Sequence, residues 1–383
     1  MTQAPSTLPP TELSETAIVT ILTERIKQGY YPPGCRLPAE RSLAVELGVS
    51  RRFARLAYDQ LTATGIIERK DFQRPVVPIS EAYVFKKASV EPRVSTRSIA
   101  AVLPSHPVCS GGLAIVAGIN RVLNCPDGEH RVSLFDNSFQ TTRAAMLQLE
   151  RGALASVRAN SSVEGLIWWC AGDDDVVADF RRSRPDISIV FIDRVPGGAP
   201  VDFVGVDDVE SARMAVAHLV DLGHRRVAHV MDVGDCSTIV GRAQGYRTAM
   251  ERSAGGFDPE LLVQIDWAAG AIDTAVDRLL SLPDPPTAIF ATNDFNAYEV
   301  VEAVEARGLS VPGDISVVGH GDLDQFAPRK FLSTVHQPFE LIGRTAAQLL
   351  ARRLSHPAQP VASTQHMILP SPLIVRRSSG PPR

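Results

Sequence analysis

The chain has 383 residues, 44% of them hydrophobic and 21% charged, with a formal net charge of −4. That length exceeds one ordinary core and predicts two or three domains. No apolar run reaches the length of a membrane-spanning helix, and the polar opening "MTQAPSTLPPTELSE" lacks the basic-then-apolar order of a secretory signal. Five scattered cysteines (Cys35, Cys109, Cys125, Cys170, Cys236) form no CxxC pair. They fit buried, reduced thiols in a cytoplasmic protein rather than a disulfide framework or a zinc site. Charge is uneven. Residues 36–74 carry eight basic and five acidic side chains, a net +3 against −7 for the remainder, so a polyanionic partner is expected for this part alone.

The first pattern, "LSETAIVTILTERIKQG", has Ile18, Ile21, Leu22 and Ile26 at helical spacing and stops at Gly29. After the turn "YYPPG", a second helix, "AERSLAVELG", buries Leu43, Ala44 and Leu47 and ends at Gly48. "GVS" is then a tight turn with Ser50 placed to cap a third helix, and two short helices so joined read as helix-turn-helix. In "RRFARLAYDQL", Ala54, Ala57, Tyr58 and Leu61 share the buried face, while Arg51, Arg55 and, further round, Arg52 point away from it together. A solvated charged face is the bland alternative. The turn and helix in front favour a groove-reading helix, since side chains near such an N-terminus reach base edges and arginine suits both phosphate and guanine. "IIERKDFQRPVVP" then predicts a small hairpin, or wing, laying Lys70, Gln73 and Arg74 against a backbone.

Residues 11–79 resemble the winged helix-turn-helix head of the GntR regulators, carried by "GYYPPGCRLPAERSLAVELGVSRRFARLAYDQLTATGIIER". The resemblance implies that Arg41 and Arg55 hold phosphate, that Arg51 approaches bases and that Arg52 sets specificity. Phe53 and Ala54 depart from the family's Thr and β-branched residue, and "KDFQRP" lacks its wing glycines.

Residues 80–97 read as a polar linker. From 98 to 377, "SIAAVLP", "HRVSLFD", "VEGLIWWC", "SIVFIDR", "RRVAHVM", "TAIFATN" and "DISVVGH" read as buried strands alternating with amphipathic helices. Such β-α repetition predicts α/β layers with ligands beyond the C-terminal strand ends. So many strands imply two lobes around a cleft. The strand-end rule nominates Asp136, Asn137, Trp169, Asp193, Arg194, Asn293, Asp294, His320 and Asp322, a set suited to a neutral polyhydroxyl compound. For Asp294 alone a helix cap is the simpler role. "GDDDVV" at 172–177 reads as a solvated loop, and "LGHRR" at 222–226 as a helix stop before a strand.

This body resembles the periplasmic-binding-protein-like effector domain of LacI/GalR regulators, through "IVFIDRV", "VGVDDVESARMAVAHLVDLGHRRVAHV", "GRAQGYRTAM", "PTAIFATNDFNAYEVVEAVEARGLSVPGDISVVGHGD" and "LSTVHQPFELIGRTAAQLL". It implies two lobes of parallel sheet flanked by helices, with three chain crossings expected near 194–200, 322–326 and 352–365. It also implies effector contacts at Asp193, Arg242, Trp267 and Asn293. For Trp267, simple packing is the even alternative. Where the family usually reads Gly-Phe-Asp-Asp, this chain has Gly319, His320, Gly321 and Asp322, so a common sugar anchor is missing. The combined expectation is a cytoplasmic, homodimeric DNA-binding repressor. A sugar-like effector would switch its grip on a double-stranded operator, with no cofactor and no membrane partner. A transport-type sugar-binding protein or an enzyme on a small polar metabolite are the alternatives. The first needs a secretion signal and no basic head; the second needs a nucleophile–base pair or metal cluster, and no such motif is present.

Overall fold

The computed structural model describes residues 15–27, 37–47, 49–69, 75–77, 98–104, 110–123, 130–136, 143–197, 200–266, 268, 270–323, 331–355 and 364–383. The chain divides into two units, Met1–Val94 and Ser95–Arg383.

In the first unit, α1 (Glu15–Lys27), α2 (Glu40–Leu47) and α3 (Arg51–Ala63) enclose one small core of Ile18, Leu22, Leu43, Ala54, Ala57, Tyr58 and Leu61. These are the apolar positions that the helical period selects. The Tyr58 hydroxyl donates to Pro38 O at 2.7 Å, so the one polar atom of the core's largest ring is satisfied. Residues 49–50 turn sharply, with Val49 N bonded to Ala44 O. Behind α3, Glu68 and Val76 exchange backbone hydrogen bonds of 2.7 and 2.8 Å, forming the base of the expected hairpin, and Ile67 and Val77 close the core.

The second unit holds two six-stranded sheets. The first lobe contains β1 (Ser98–Leu103), β2 (Arg131–Asp136), β3 (Val163–Trp168), β4 (Ser188–Ile192), β5 (Asp202–Val206) and β11 (His366–Leu369), all parallel, in the order β11-β5-β4-β3-β1-β2. The second contains β6 (Val227–Asp232), β7 (Leu262–Ile265), β8 (Ala288–Ala291), β9 (Ser316–Gly321), β10 (Ser333–His336) and β12 (Leu373–Ile374), in the order β12-β10-β9-β8-β6-β7, parallel except for β12. Around the first sheet pack α4 (Ser110–Leu123), α5 (Arg143–Ala159), α6 (Asp174–Ser183) and α11 (Phe339–Ser355). Around the second pack α7 (Asp208–Asp221), α8 (Ser237–Arg252), α9 (Ala271–Leu280) and α10 (Asp294–Ala306). The fold is thus α/β with two mostly parallel sheets flanked by helices.

Three expectations are corrected. The chain passes between lobes at 206–208, 336–339 and 369–373, because β5 and β11 belong to the first sheet and β10 and β12 to the second. The described elements flanking 194–200 and 352–365 belong to the first lobe, and those flanking 322–326 belong to the second. "GDDDVV" is a helix start. Asp173 caps α6 by accepting from Asp175 N and Val176 N, and acids there suit the positive end of the helix dipole. Finally, the body does not end at 377. Ser378 is fully buried, its Oγ accepting from Ser333 N and donating to Val317 O, while Gly380 O accepts from Ser316 Oγ.

The first lobe depends on α4 and α11 meeting backbone to backbone. A methyl group on Gly118 would stand 2.0 Å from Glu340 O, and one on Gly343 would stand 2.1 Å from Ile115 O. Gly118→Ala is therefore expected to cost about 1–3 kcal/mol by overpacking. Thermal unfolding should show a melting temperature lowered by several degrees. Gly152→Ala, on α5 with open space around it, should leave the melting temperature unchanged or slightly raised. Equal behaviour of the two variants would remove the close-approach argument.

Candidate nucleic-acid interface and effector cleft

Helix α3 starts as expected: Ser50 Oγ accepts from Phe53 N at 3.3 Å. Arg51, Arg52 and Arg55 are exposed on its first two turns, Arg51 with 74% and Arg55 with 67% of the side chain in solvent. No acid lies in that first turn. Cations at a helix N-terminus oppose the dipole, at roughly 0.3–1 kcal/mol each, so the arrangement gains when an anion arrives. Phe53 is half-buried against the head core and Ala54 fully buried, so their departure from the family pattern is absorbed on the inner side of the helix.

Two acids organise this face. Glu40, at the start of α2, accepts from Arg51 Nε at 3.2 Å and from Arg69 Nη2 at 2.7 Å. Asp59 accepts from Arg69 Nη1 at 3.3 Å and lies 3.9 Å from Arg55 Nε. Arg69 was absent from the sequence-derived set. Its signal was its place two residues after the buried Ile67, next to Glu68, whose backbone pairs with Val76. Arg41 lies in α2 but its side chain, like Lys70, Gln73 and Arg74, falls outside the described residues.

In the body, the C-terminal strand ends of the two lobes meet. Asp193, after β4, accepts from the Gln337 amide on the second crossing, and Val195 N donates to Ser237 Oγ at the start of α8 at 2.8 Å. Gly172 approaches so closely that an added methyl group would sit 2.7 Å from Cys236 Cβ. Asp193 (φ 62°) and Asp322 (φ 54°) are the non-glycine residues with left-handed backbone among the described residues. Such conformations cost about 1–3 kcal/mol and concentrate at functional sites.

Arg242 is buried on α8. It donates through Nε to Asp208 Oδ1 at 2.8 Å and through Nη1 to Thr292 O at 2.8 Å. Burial pushes the Asp208 carboxyl up to about 7, with Arg242 opposing and Asp193 reinforcing the rise. Asn293 caps α10 through Oδ1 and donates from Nδ2 to Asp232 Oδ2 at 3.1 Å, while Asn296 donates to the other oxygen of Asp232 at 3.0 Å. Asp294 is not the cap. Its buried carboxylate accepts from Thr334 Oγ1 at 2.6 Å and Leu323 N at 2.9 Å, which ties β9, β10 and α10 together.

Other nominated residues are placed differently from the strand-end expectation. His320 is enclosed, bonded through Nε2 to Ser211 Oγ at 3.1 Å, and burial holds its imidazole well below the usual range. Trp169 is a core residue with 8% exposure, stacked on Phe339. Asp322 accepts from Arg376 at 2.7 Å and lies 3.2 Å from His336 Nδ1, so its carboxylate fixes the last segment of the chain. Asp136 sits exposed at the end of edge strand β2, in a groove shared with α5. Trp267 and Asn137 fall outside the described residues. Gly321 has φ +138°, a backbone that side chains rarely adopt. The missing aspartate is thus matched by a local conformation that favours glycine. Gln337, Asp208, Asp232 and Ser237 were missed because each is engaged by a residue distant in the chain (Asp193, Arg242, Asn293 and Val195 respectively), with no local motif of its own. Among the described residues no cluster of His, Cys, Asp or Glu has the arrangement to hold a metal, and no helix is long and apolar enough to cross a membrane.

Residues 15–77 match the family described as bacterial regulatory proteins, gntR family, and residues 216–379 match the periplasmic binding protein-like domain. The transcriptional regulator DegA of Bacillus subtilis (strain 168) is 31% identical over 231 residues, 59% of this chain and 67% of that protein. The transcriptional repressor PurR of Aliivibrio fischeri (strain MJ11) is 29% identical over 201 residues, 51% of this chain. The match to PurR spans 59% of that protein's length. Two crystal structures share the fold. The regulator CcpA of Lactococcus lactis has a TM-score of 0.64 at 19% identity, covering 74% of this chain and 99% of that one. A LacI family regulator from Enterococcus faecium, solved with bound ribose, has a TM-score of 0.62 at 22% identity, covering 75% and 100%. The chain belongs to the family of bacterial transcriptional regulators that includes DegA and PurR, with a periplasmic binding protein-like body and a gntR-family head.

Proposed function

We propose that the chain is a ligand-switched, sequence-specific DNA-binding repressor, acting in the cytoplasm as a homodimer on a two-fold-related operator. The observation that carries this reading is the exposed arginine triplet at the capped N-terminus of α3, on a helix whose opposite face is buried. Arg51 reads a base edge, Arg52 sets specificity, and Arg55 and Arg41 hold phosphate; Lys70, Gln73 and Arg74 extend the contact from the hairpin. In the body, Arg242, Asp193, Asn293 and Trp267 hold a neutral polyhydroxyl effector, which Asp208 and Asp232 assist by fixing the donors. Asp136, Trp169, His320 and Asp322, proposed from their strand ends, shape the cleft rather than touch the ligand. The stacking of Trp169 on Phe339, the bond from His320 Nε2 to Ser211 and the pairing of Asp322 with Arg376 support that division.

The DNA reading is tested by enriching a preferred duplex from a random library with the full chain and following its affinity against salt. Contacts to about 6–10 phosphates in a dimer predict a loss of roughly three to five decades between 50 and 200 mM salt. Arg55→Ala should lower the slope by about 1 per head, whereas Arg51→Ala should cost roughly 1–3 kcal/mol at one base position. A salt-independent affinity sinks the phosphate role.

The effector reading is tested by thermal shift of the full chain against sugars, polyols, sugar phosphates and nucleosides. A stabilising neutral polyol should change operator affinity, with about 1–3 kcal/mol of coupling, and Arg242→Ala should abolish the shift. A hit that leaves operator binding untouched rules out the switch.

Asp208 gives a pH signature. Its folded carboxyl titrates at about 7 against 3.8 when unconstrained. Between those values the folded chain keeps a proton that the unfolded chain has released. The stability contributed by Asp208 is therefore full below about pH 4 and lost as pH rises through about 7. The melting-temperature difference between wild type and Asp208→Asn should accordingly fall as pH rises from 5 to 8. Taking the difference cancels His229 and His320, whose burial holds both imidazoles low. A flat difference contradicts the assignment of a raised carboxyl to Asp208.

A further inference from the structure

Glu40 lies eleven residues before Arg51 and twenty-nine before Arg69, and the head fold brings the three together. Its carboxylate is 12% exposed, while Arg51 keeps 74% and Arg69 33% of the side chain in solvent. Burial works to raise the Glu40 carboxyl, yet the hydrogen bonds and charges of Arg69 and Arg51 outweigh it and hold the group below the usual range. The carboxylate stays ionised and keeps both guanidinium groups engaged at neutral pH.

The way Arg51 is held matters. Its bond to Glu40 runs through Nε, on the side edge of the guanidinium group. The terminal Nη1 and Nη2 pair, the edge that matches guanine O6 and N7 or two phosphate oxygens, is left for a partner. A long side chain that is already ordered before binding loses less rotamer freedom on docking. We propose that Glu40 is a positioning residue for nucleic-acid readout, holding Arg51 by its Nε edge so that its Nη edge meets a base, and that Arg69 is a further phosphate contact supplied from behind α3. The inference rests on the DNA-binding reading above and adds to it a residue that touches no DNA. An acid beside the nucleic acid also repels the backbone, so it weakens non-specific binding while sharpening specific binding.

That pair of opposed effects separates positioning from a plain structural role. The full-length chain selects a duplex from a random library. Fluorescence anisotropy then gives the affinities of wild type, E40A, E40Q, R51A and R69A for that duplex, for single-base-pair variants of it and for a scrambled duplex, with circular dichroism as a check on folding. E40A is expected to lose about tenfold in the ratio of selected to scrambled affinity. The loss should fall on the base pairs that R51A also stops distinguishing, with scrambled binding unchanged or tighter. E40Q, which keeps an acceptor oxygen and the helix start, should show a smaller loss in the same direction. R69A should weaken both duplexes alike and reduce the salt slope by about 1 per head.

An E40A ratio equal to wild type overturns the inference, as does a loss of equal size on both duplexes, the mark of a damaged fold. Where E40A fails to fold, E40Q decides: a ratio equal to wild type overturns the proposal. If the wild type enriches no sequence at all, the DNA-binding reading falls and takes this inference with it. If it selects a site that the Glu40 variants read equally well, only the inference falls.

Discussion

Parallel pairing puts every strand's C-terminal end on the same edge of a sheet, and the body turns two such edges toward each other. The contacts between Asp193 and Gln337, Val195 and Ser237, and Gly172 and Cys236 all lie at those edges. Strand order follows from the same constraint. Because β11 returns to pair with β5 and β12 then pairs with β10, the chain must pass between the lobes at three places. Those crossings carry, or directly precede, residues of the cleft: Asp207 and Asp208 at the first, Gln337 at the second. A cleft so built has its polar groups held at strand ends and beside the crossings.

The same logic of prior fixing governs the head. Three arginines near one helix start repel each other and oppose the dipole. They are tolerated because Glu40 and Asp59 stand among them and because the helix is anchored by Ala54, Ala57, Tyr58 and Leu61 on its other side. The outward face is therefore held under electrostatic tension by a small, well-packed core. An anion relieves that tension; a neutral surface does not.

Helical and strand periods made much of this legible. Seven strands were read from apolar runs of six to eight residues, and the buried face of α3 followed from its four apolar positions. Of the strands that escaped notice, β5 is a buried apolar run that was read into the segment before α7, and the other four are short or polar. β10 is "STVH", β12 has two residues, β7 contains an exposed Gln264, and β11 is half-exposed at a sheet edge. Missing β5 and β10 misplaced the crossings, since a crossing is defined by which sheet a strand joins and no local composition marks that choice. Strand-end position nominated Asp193 and Asn293 together with Asp322 and His320, but it carries no information on which of these groups packing and distant partners consume. Asp322 is held by Arg376, more than fifty residues away, and His320 by Ser211, more than a hundred away. "GDDDVV" misled for a different reason: consecutive acids favour both solvated loops and helix starts, and only the following apolar Val176, Val177 and Phe180 face decides for the helix.

In the chain, the head precedes β1, the first strand of the first lobe. On the proposed reading, a ligand held by Asp193 on one lobe and Arg242 and Asn293 on the other shifts a balance between open and closed arrangements only by its difference in affinity for the two. Moving the populations from 1:99 to 99:1 needs about 5.5 kcal/mol of difference. Two or three charge-assisted hydrogen bonds, at about 1.5–3 kcal/mol each, reach that figure when they form only on closure. Arg242 is already bonded to Asp208 and Thr292 on its own lobe, so it arrives ordered, and the gain from its remaining donors is not spent on fixing its own side chain.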